Sequence, residues 1–214
     1  MVDPAGPPDV PYCYRTPGPT YDGAALAAVV LAWCREAGAR RVLDLGCGNG
    51  EFCRELAAGG FEVIGCDPSE SGIQVAARSV PGAAFVRLGV YDDPVALAAD
   101  PFDAVIAMEV VEHLYLPRHL PRFAGRVLKP GGRLIVTTPY HGYLKNMALS
   151  VLDRWDAHWS PLWDGGHIKF WSCRTLRQLV EPEGFTFQRF VGVGRLPGFW
   201  KSMVVEFRRA TSGR

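Results

Sequence analysis

Three glycines at alternate positions follow an apolar run in VLDLGCGNG, residues 42–50, and a second apolar run, FEVIGCD, ends on Asp67. Gly46, Gly48 and Gly50 carry no Cβ, so the backbone there can take positive φ and approach a ligand closely. Strand, glycine turn, helix, strand and terminal acid together form the platform on which a parallel α/β sheet holds a nucleotide-like cofactor. The spacing argues against a dinucleotide. That fingerprint calls for another glycine at position 51, where this chain has Glu51, and a pyrophosphate would meet the carboxylates of Glu51 and Asp44. A helix N-terminus ordinarily attracts anions, so acids placed there favour a ligand that carries positive charge and no phosphate.

S-adenosylmethionine, with an ammonium and a sulfonium, meets that description, and Asp67 is placed to accept both of its ribose hydroxyls. At these residues the chain resembles the class I S-adenosylmethionine-dependent methyltransferases, whose first motif is an acid followed by GxGxG and whose second is an acid after the next strand. The resemblance covers roughly residues 26–207 and is strongest up to Pro139. In open parallel sheets ligands bind at the carboxyl ends of the strands, which selects further candidates. These are Pro68 after the second strand, Tyr91 and Asp92 after the third, and Met108 at the end of the fourth. The family places the adenine edge at Tyr91 and Asp92; an ordinary surface loop is the alternative for that pair.

EVVEHL, residues 109–114, follows the fourth strand and is expected to open a helix that puts Glu109, Glu112 and His113 on one face. Two carboxylates and an imidazole suit a divalent ion such as Mg²⁺ or Mn²⁺. The segment resembles the ubiquinone-biosynthesis O-methyltransferases and the small-RNA 3′-terminal 2′-O-methyltransferases, the latter of which add a later histidine as fourth ligand. His167, in WDGGHIKFW, falls about where that ligand would come. An acidic first turn that complements the helix dipole is the competing explanation. A lone imidazole can also take the acceptor proton, with His113 or His141 as candidates, whereas His119 and His158 read as surface or packing residues.

The elements that must position these groups alternate. Strands are expected near residues 41–45, 62–66, 84–88, 103–108, 133–138, 186–193 and 201–208. KPGG, residues 129–132, reads as a turn before the fifth strand. Helices are expected at residues 20–37, capped by Thr20 or Asp22, and at 172–181. The fold expectation is a Rossmann-like α/β sheet of seven strands, mostly parallel, with the last strand antiparallel as the resemblance implies. Residues 139–171 are too long for a simple connection and read as a functional cap over a single domain that spans residues 20–214. Within the cap, Leu144, Met147, Ala148, Val151, Leu152 and Trp155 form one helical stripe, expected to pack on the sheet edge in preference to docking on a membrane. Tyr140, Tyr143, Trp159, Trp163 and Trp171 crowd the place where an acceptor enters in this fold.

A chain of 214 residues with 48% hydrophobic residues can bury a full core. Lys and Arg number 23 against 22 Asp and Glu, a net charge of +1, which offers no electrostatic footprint and argues against a nucleic-acid partner. No apolar run suits a transmembrane segment, and the six cysteines, without a CxxC pair, read as reduced core residues of a cytoplasmic protein. Residues 1–19 hold six prolines and are expected to form a flexible arm, with Tyr12, Tyr14 and Arg15 available as a lid. The expected function is O-methylation of a small hydroxylated acceptor such as a phenol, a quinol precursor or a sugar. Metal-dependent RNA ribose methylation and a non-catalytic binding module are the alternatives.

Overall fold

The computed structural model of the chain describes residues 12–16 and 23–211. Apolar runs become the strands β1 (Arg41–Leu45), β2 (Glu62–Asp67), β3 (Ala83–Arg87), β4 (Phe102–Met108), β5 (Leu128–Pro139), β6 (Phe185–Val193) and β7 (Ser202–Arg209). They form one seven-stranded sheet in the order β3-β2-β1-β4-β5-β7-β6. β7 is antiparallel to both neighbours, so the other six strands run one way. Helices α1 (Ala24–Glu36), α2 (Glu51–Ala58), α3 (Glu70–Ser79), α4 (Val95–Ala98) and α5 (His119–Val127) fill the connections up to β5. Beyond it come α6 (Tyr143–Val151), α7 (Trp155–His158) and α8 (Cys173–Val180).

Because successive strand residues point to opposite faces, β1 divides its side chains between two cores. Leu43 and Leu45 join Leu120, Phe123 and Leu176 on one side, while Val42 joins Val30, Trp33, Phe52 and Leu56 on the other. Burial on both faces explains why the central strands read as continuous apolar runs. Strand order reverses between β1 and β4, and the crevice at their carboxyl ends is where a parallel sheet of this kind takes its ligand.

Local chemistry sets the boundaries. Ser172 caps α8 through a capping box, its hydroxyl accepting from the Thr175 amide at 3.3 Å while the Thr175 hydroxyl accepts from the Ser172 amide at 3.0 Å. Such a cap contributes about 1 kcal/mol. Gly23 stands at the N-cap of α1 with no side-chain bond; Thr20 and Asp22 lie outside the described residues. β5 starts earlier than its sequence suggests. Leu128 already pairs with Phe102, and pairing resumes at Arg133 opposite Ala104, so residues 129–132 bulge out with Gly131 at φ 78°. A turn is present there, embedded in the strand.

The expectation for the α6 stripe is overturned. Leu144, Met147, Val151 and Leu152 are exposed, and the buried residue of this helix is Lys145, at 4% exposure. Both ends of the excursion that carries α6 and α7 are tied together, since Tyr140 bridges to Trp171 and the His141 amide donates to the Trp171 carbonyl at 2.9 Å. Anchoring at the base holds the segment by its backbone, without the stripe. No helix among the described residues is long and apolar enough to cross a membrane.

Candidate active site

The turn after β1 is shaped by its glycines. Gly46 and Gly48 adopt φ of 87° and 53°, and Gly50, at 80°, is the N-cap of α2. Close approach matters as much as φ. A Cβ on Gly46 would fall 2.5 Å from Val110 Cγ2, and one on Gly48 would fall 2.6 Å from the Tyr14 hydroxyl. The first contact seats the loop after β4 against the turn after β1. The second shows residues 12–16 crossing the turn, where the Tyr14 amide donates to Ser71 Oγ at 3.1 Å and Ser69 Oγ donates to the Tyr12 carbonyl at 2.6 Å. Burial, reinforced by the charge of Asp67, raises the Tyr14 pKa and keeps its hydroxyl protonated.

Asp67 organises the same turn. Its Oδ2 accepts from the Gly48 amide at 2.9 Å and its Oδ1 from the Ser69 amide at 2.8 Å. Asp44 lies beneath, buried, with Cys53 Sγ donating to its Oδ2 at 3.1 Å, and burial pushes its carboxyl up to about 7. The consequence for stability has a definite sign. Between about pH 4 and pH 7 the unfolded chain has lost this proton and the folded chain keeps it, so stability falls as pH rises through that window. A shift from 3.8 to about 7 corresponds to a cost on the order of 4 kcal/mol. Asp44→Asn should therefore gain on the parent between pH 4 and pH 8 in urea unfolding of the cofactor-free protein. A stability difference independent of pH would contradict this assignment.

Elsewhere on this side the candidates are spread out. The Pro68 carbonyl accepts from Arg87 Nε at 3.2 Å, Asp92 Oδ2 accepts from the Gly89 amide at 2.7 Å, and Met108 is buried at the end of β4. Tyr91 and Asp92 line a cavity of about 350 Å³ together with His119 and Arg122, and the Tyr91 ring meets His119 edge-on.

EVVEHL does not open an α-helix. Glu109 stands at φ 54°, Val111–His113 is a single 3₁₀ turn, Leu114 is extended, and α5 begins only at His119. Pro117 disfavours helix in the residue before it, and left-handed Glu109 breaks it on the other side. Glu109 is held in that strained conformation by its neighbour on β5: its amide donates to Thr137 Oγ1 at 3.0 Å, and that hydroxyl donates to Glu109 Oε1 at 2.9 Å. Burial raises the Glu109 carboxyl to about 7.

Glu112 and His113 nonetheless meet His167. The amides of Ile168 and Lys169 both donate to the Glu112 carbonyl, at 3.0 and 3.1 Å, which draws the later segment back. Donor atoms of Glu112, His113 and His167 then lie within 4.8 Å of one another, and Glu109 is not in that set. Glu112 is 1% exposed, neither of its oxygens has a hydrogen-bond partner among the described residues, and burial holds its pKa well above the carboxylate range. His113 Nδ1 lies 2.7 Å from the Gly165 carbonyl; donating there leaves Nε2 with its lone pair. Burial lowers the pKa of both rings, that of His167 to about 4. A buried carboxyl without a hydrogen bond, kept protonated by burial, stands beside two neutral imidazoles, a donor set that suits a divalent cation able to displace the proton.

Beside this group lies a cavity of about 270 Å³. Glu109, His141, His167, Trp159 and Phe170 contribute to its wall. His141 is neutral, its pKa lowered to about 4 by burial, with Nδ1 3.3 Å from Asn146 Oδ1.

A family model described as a methyltransferase domain matches residues 21–189. The chain belongs to this methyltransferase family. It is 33% identical over 171 residues to the ubiquinone biosynthesis O-methyltransferase of Azorhizobium caulinodans, which covers 75% of this chain and 65% of that protein. The human mitochondrial enzyme of the same name is 33% identical over 168 residues, covering 75% of this chain and 46% of its own length. The chain thus spans about two thirds or less of these relatives. Among solved structures, magnesium protoporphyrin IX methyltransferase from Synechocystis with bound SAH superposes with a TM-score of 0.65 at 20% identity, covering 86% of this chain and 82% of the other. An S-adenosylmethionine-dependent methyltransferase from Mesorhizobium loti reaches 0.68 at 22%, covering 88% and 99%.

The chain thus has the fold and family that its motifs implied. The cavity of about 270 Å³ contains groups that sequence reasoning passed over. His158, read as a surface or packing residue, lines the cavity next to His141 at 5.5 Å between rings. Lys145, Phe170, Arg195 and Lys201 line it too. Of the five aromatics expected around the acceptor, Trp159 lines the cavity and Trp163 packs on His113 and His167. Trp171 is buried, Tyr140 packs on Phe190 and Trp200, and Tyr143 is exposed.

Proposed function

We propose that this methyltransferase moves the methyl group of S-adenosylmethionine to a hydroxyl oxygen of a small acceptor, with a divalent cation held by Glu112, His113 and His167. The buried carboxyl of Glu112, without a hydrogen bond, is the observation that carries the metal reading. The glycine turn and Asp67 would hold the methionine and ribose portions of the cofactor, with Tyr14 closing over them as part of an N-terminal lid. Bound Mg²⁺ or Mn²⁺ supplies Lewis acidity that lowers the pKa of the acceptor hydroxyl. The protein's own share is positional and acid-base. Residues 139–171 act as a cap, with Trp159 and Phe170 keeping water from the acceptor. Glu109, poised near neutrality, and His141, neutral in the same cavity, are the groups placed to take the acceptor proton. Holding oxygen, methyl carbon and sulfur in line supplies most of the rate. Six free cysteines accord with a cytoplasmic, reducing setting.

An RNA ribose methyltransferase shares the EVVEH pattern, but a net charge of +1 provides no basic path for a backbone. Labelled cofactor offered with phenols, catechols, sugars and a short RNA separates the readings. Methylation of small hydroxylated acceptors at a rate insensitive to salt is expected. Labelling of the RNA with steep loss of affinity at moderate salt would overturn the proposal, as would absence of turnover with every acceptor.

A further inference from the structure

The apolar alternation along β5 breaks at its end. Leu134 and Val136 point into the core that holds Val111 and Trp171, and Thr138, the next residue on that face, is just as deeply buried, at 0% exposure. Valine has nearly the same shape and no polar group to satisfy. A hydroxyl in its place costs stability unless it has a partner, and Thr138 Oγ1 has no hydrogen bond among the described residues. Its neighbour shows what a partner can be. Thr137, pointing to the opposite face, bonds both the amide and the carboxyl of Glu109. Thr138 stands in a matching relation to Glu112, the other carboxyl of the EVVEH segment. Burial and then the charge of Glu109 oppose ionisation of Glu112, and the Thr138 hydroxyl lies close enough to favour it. Yet no aligned bond joins the two. Thr138 Oγ1 and both oxygens of Glu112 are therefore neighbouring buried atoms, all of them without a hydrogen bond among the described residues. Such a cluster in a protein interior is a set of contacts that a bound ion would complete.

We propose that Thr138 is a positioning residue of the cation site, its hydroxyl donating to one oxygen of ionised Glu112 while Oε1, which lies 3.9 Å from His167 Nε2, is left for the cation. The statement rests on the divalent-cation reading above. A ligand carboxylate whose second oxygen is bonded keeps one orientation, and its charge is shared with a donor instead of standing bare in the interior. Without that donor Glu112 would ionise with an oxygen unpaired, and cation affinity would fall. Thr138 acts only through Glu112. Thr137 cannot take its place, because it points to the other face and is committed to Glu109.

Mn²⁺ binding to the full chain saturated with S-adenosylhomocysteine, followed by the electron paramagnetic resonance signal of the free ion, tests it. Thr138→Val should bind Mn²⁺ about tenfold to a hundredfold more weakly than the parent. Thr138→Ser, which keeps the hydroxyl, should stay within about threefold of the parent. Thr138→Ala, which removes the hydroxyl and the β-branch together, should lose affinity as valine does and decides the matter if the valine variant does not fold. The metal-free melting temperature of Thr138→Val should equal or exceed the parent's, because the hydroxyl that it removes has no hydrogen bond. A threonine with a purely structural role would instead lower the melting temperature and leave Mn²⁺ affinity alone. Equal Mn²⁺ affinity in the parent and the variants without a hydroxyl, or a loss with serine as large as with valine, would overturn the proposal and leave the cation site standing. A parent that binds Mn²⁺ no better than Glu112→Gln would reject the cation reading, and the proposal with it.

Discussion

Glu112→Gln is expected to melt at a higher temperature than the parent when both are metal-free, and to lose methyl transfer. Both effects follow from one side chain. In the fold its carboxyl is buried without a hydrogen bond and beside Glu109, which keeps it protonated at a pH where the unfolded chain ionises it, so an amide of the same shape, which never ionises, removes a protonation cost of about 1–3 kcal/mol at neutral pH. With a cation in place the same carboxylate is a ligand, and its removal forfeits several kcal/mol of charge stabilisation, a rate loss on the order of a hundredfold to a thousandfold. Affinity for S-adenosylmethionine should be nearly unchanged, because the ligand group and the glycine turn lie on separate loops. Thermal melts in chelator and initial rates with labelled cofactor check the two halves. Unaltered activity would remove Glu112 from the chemistry, and a lower melting temperature would mean that its carboxylate is satisfied in the fold.

Asp67→Ala should weaken S-adenosylmethionine and S-adenosylhomocysteine alike. Two charge-assisted hydrogen bonds to ribose are worth about 2–3 kcal/mol, or roughly 30-fold to 150-fold in affinity. The structure adds a reason to expect the upper end. The same oxygens anchor the amides of Gly48 and Ser69, so alanine also loosens the turn that shapes the pocket. Asp67→Asn, which keeps one acceptor oxygen, should fall between the two. Titration calorimetry giving equal affinity for parent and alanine variant would sink the ribose assignment.

The glycine turn and the strand-end acid were legible in the sequence because their information is local. Glycines with positive φ and an acid at a strand end act through backbone geometry within a few residues, and a period-two apolar pattern places them. His167 was found from a resemblance in motif order, and the backbone bonds to the Glu112 carbonyl that bring it back are invisible in sequence. The failures share one cause. A helix was read into EVVEHL from spacing, yet Thr137 on the neighbouring strand and Pro117 further on decide its backbone. The α6 stripe was read as core from periodicity, yet the helix lies in an excursion tied at its base by backbone contacts and turns Lys145 inward. Arg195 carries no signal of its own. Its position follows from a β6–β7 loop that folds back over the cavity, and the flanking Gly194 and Gly198, both at positive φ, are the nearest hint.

Methyl transfer measured in excess chelator, and again after Mg²⁺ or Mn²⁺ is restored, tests the central claim most directly. The Glu112, His113 and His167 site predicts that transfer to a hydroxylated acceptor falls away in chelator while S-adenosylhomocysteine still binds, and that it returns with the metal. Full activity in excess chelator would contradict it and leave Glu109 or His141 to act as a simple base.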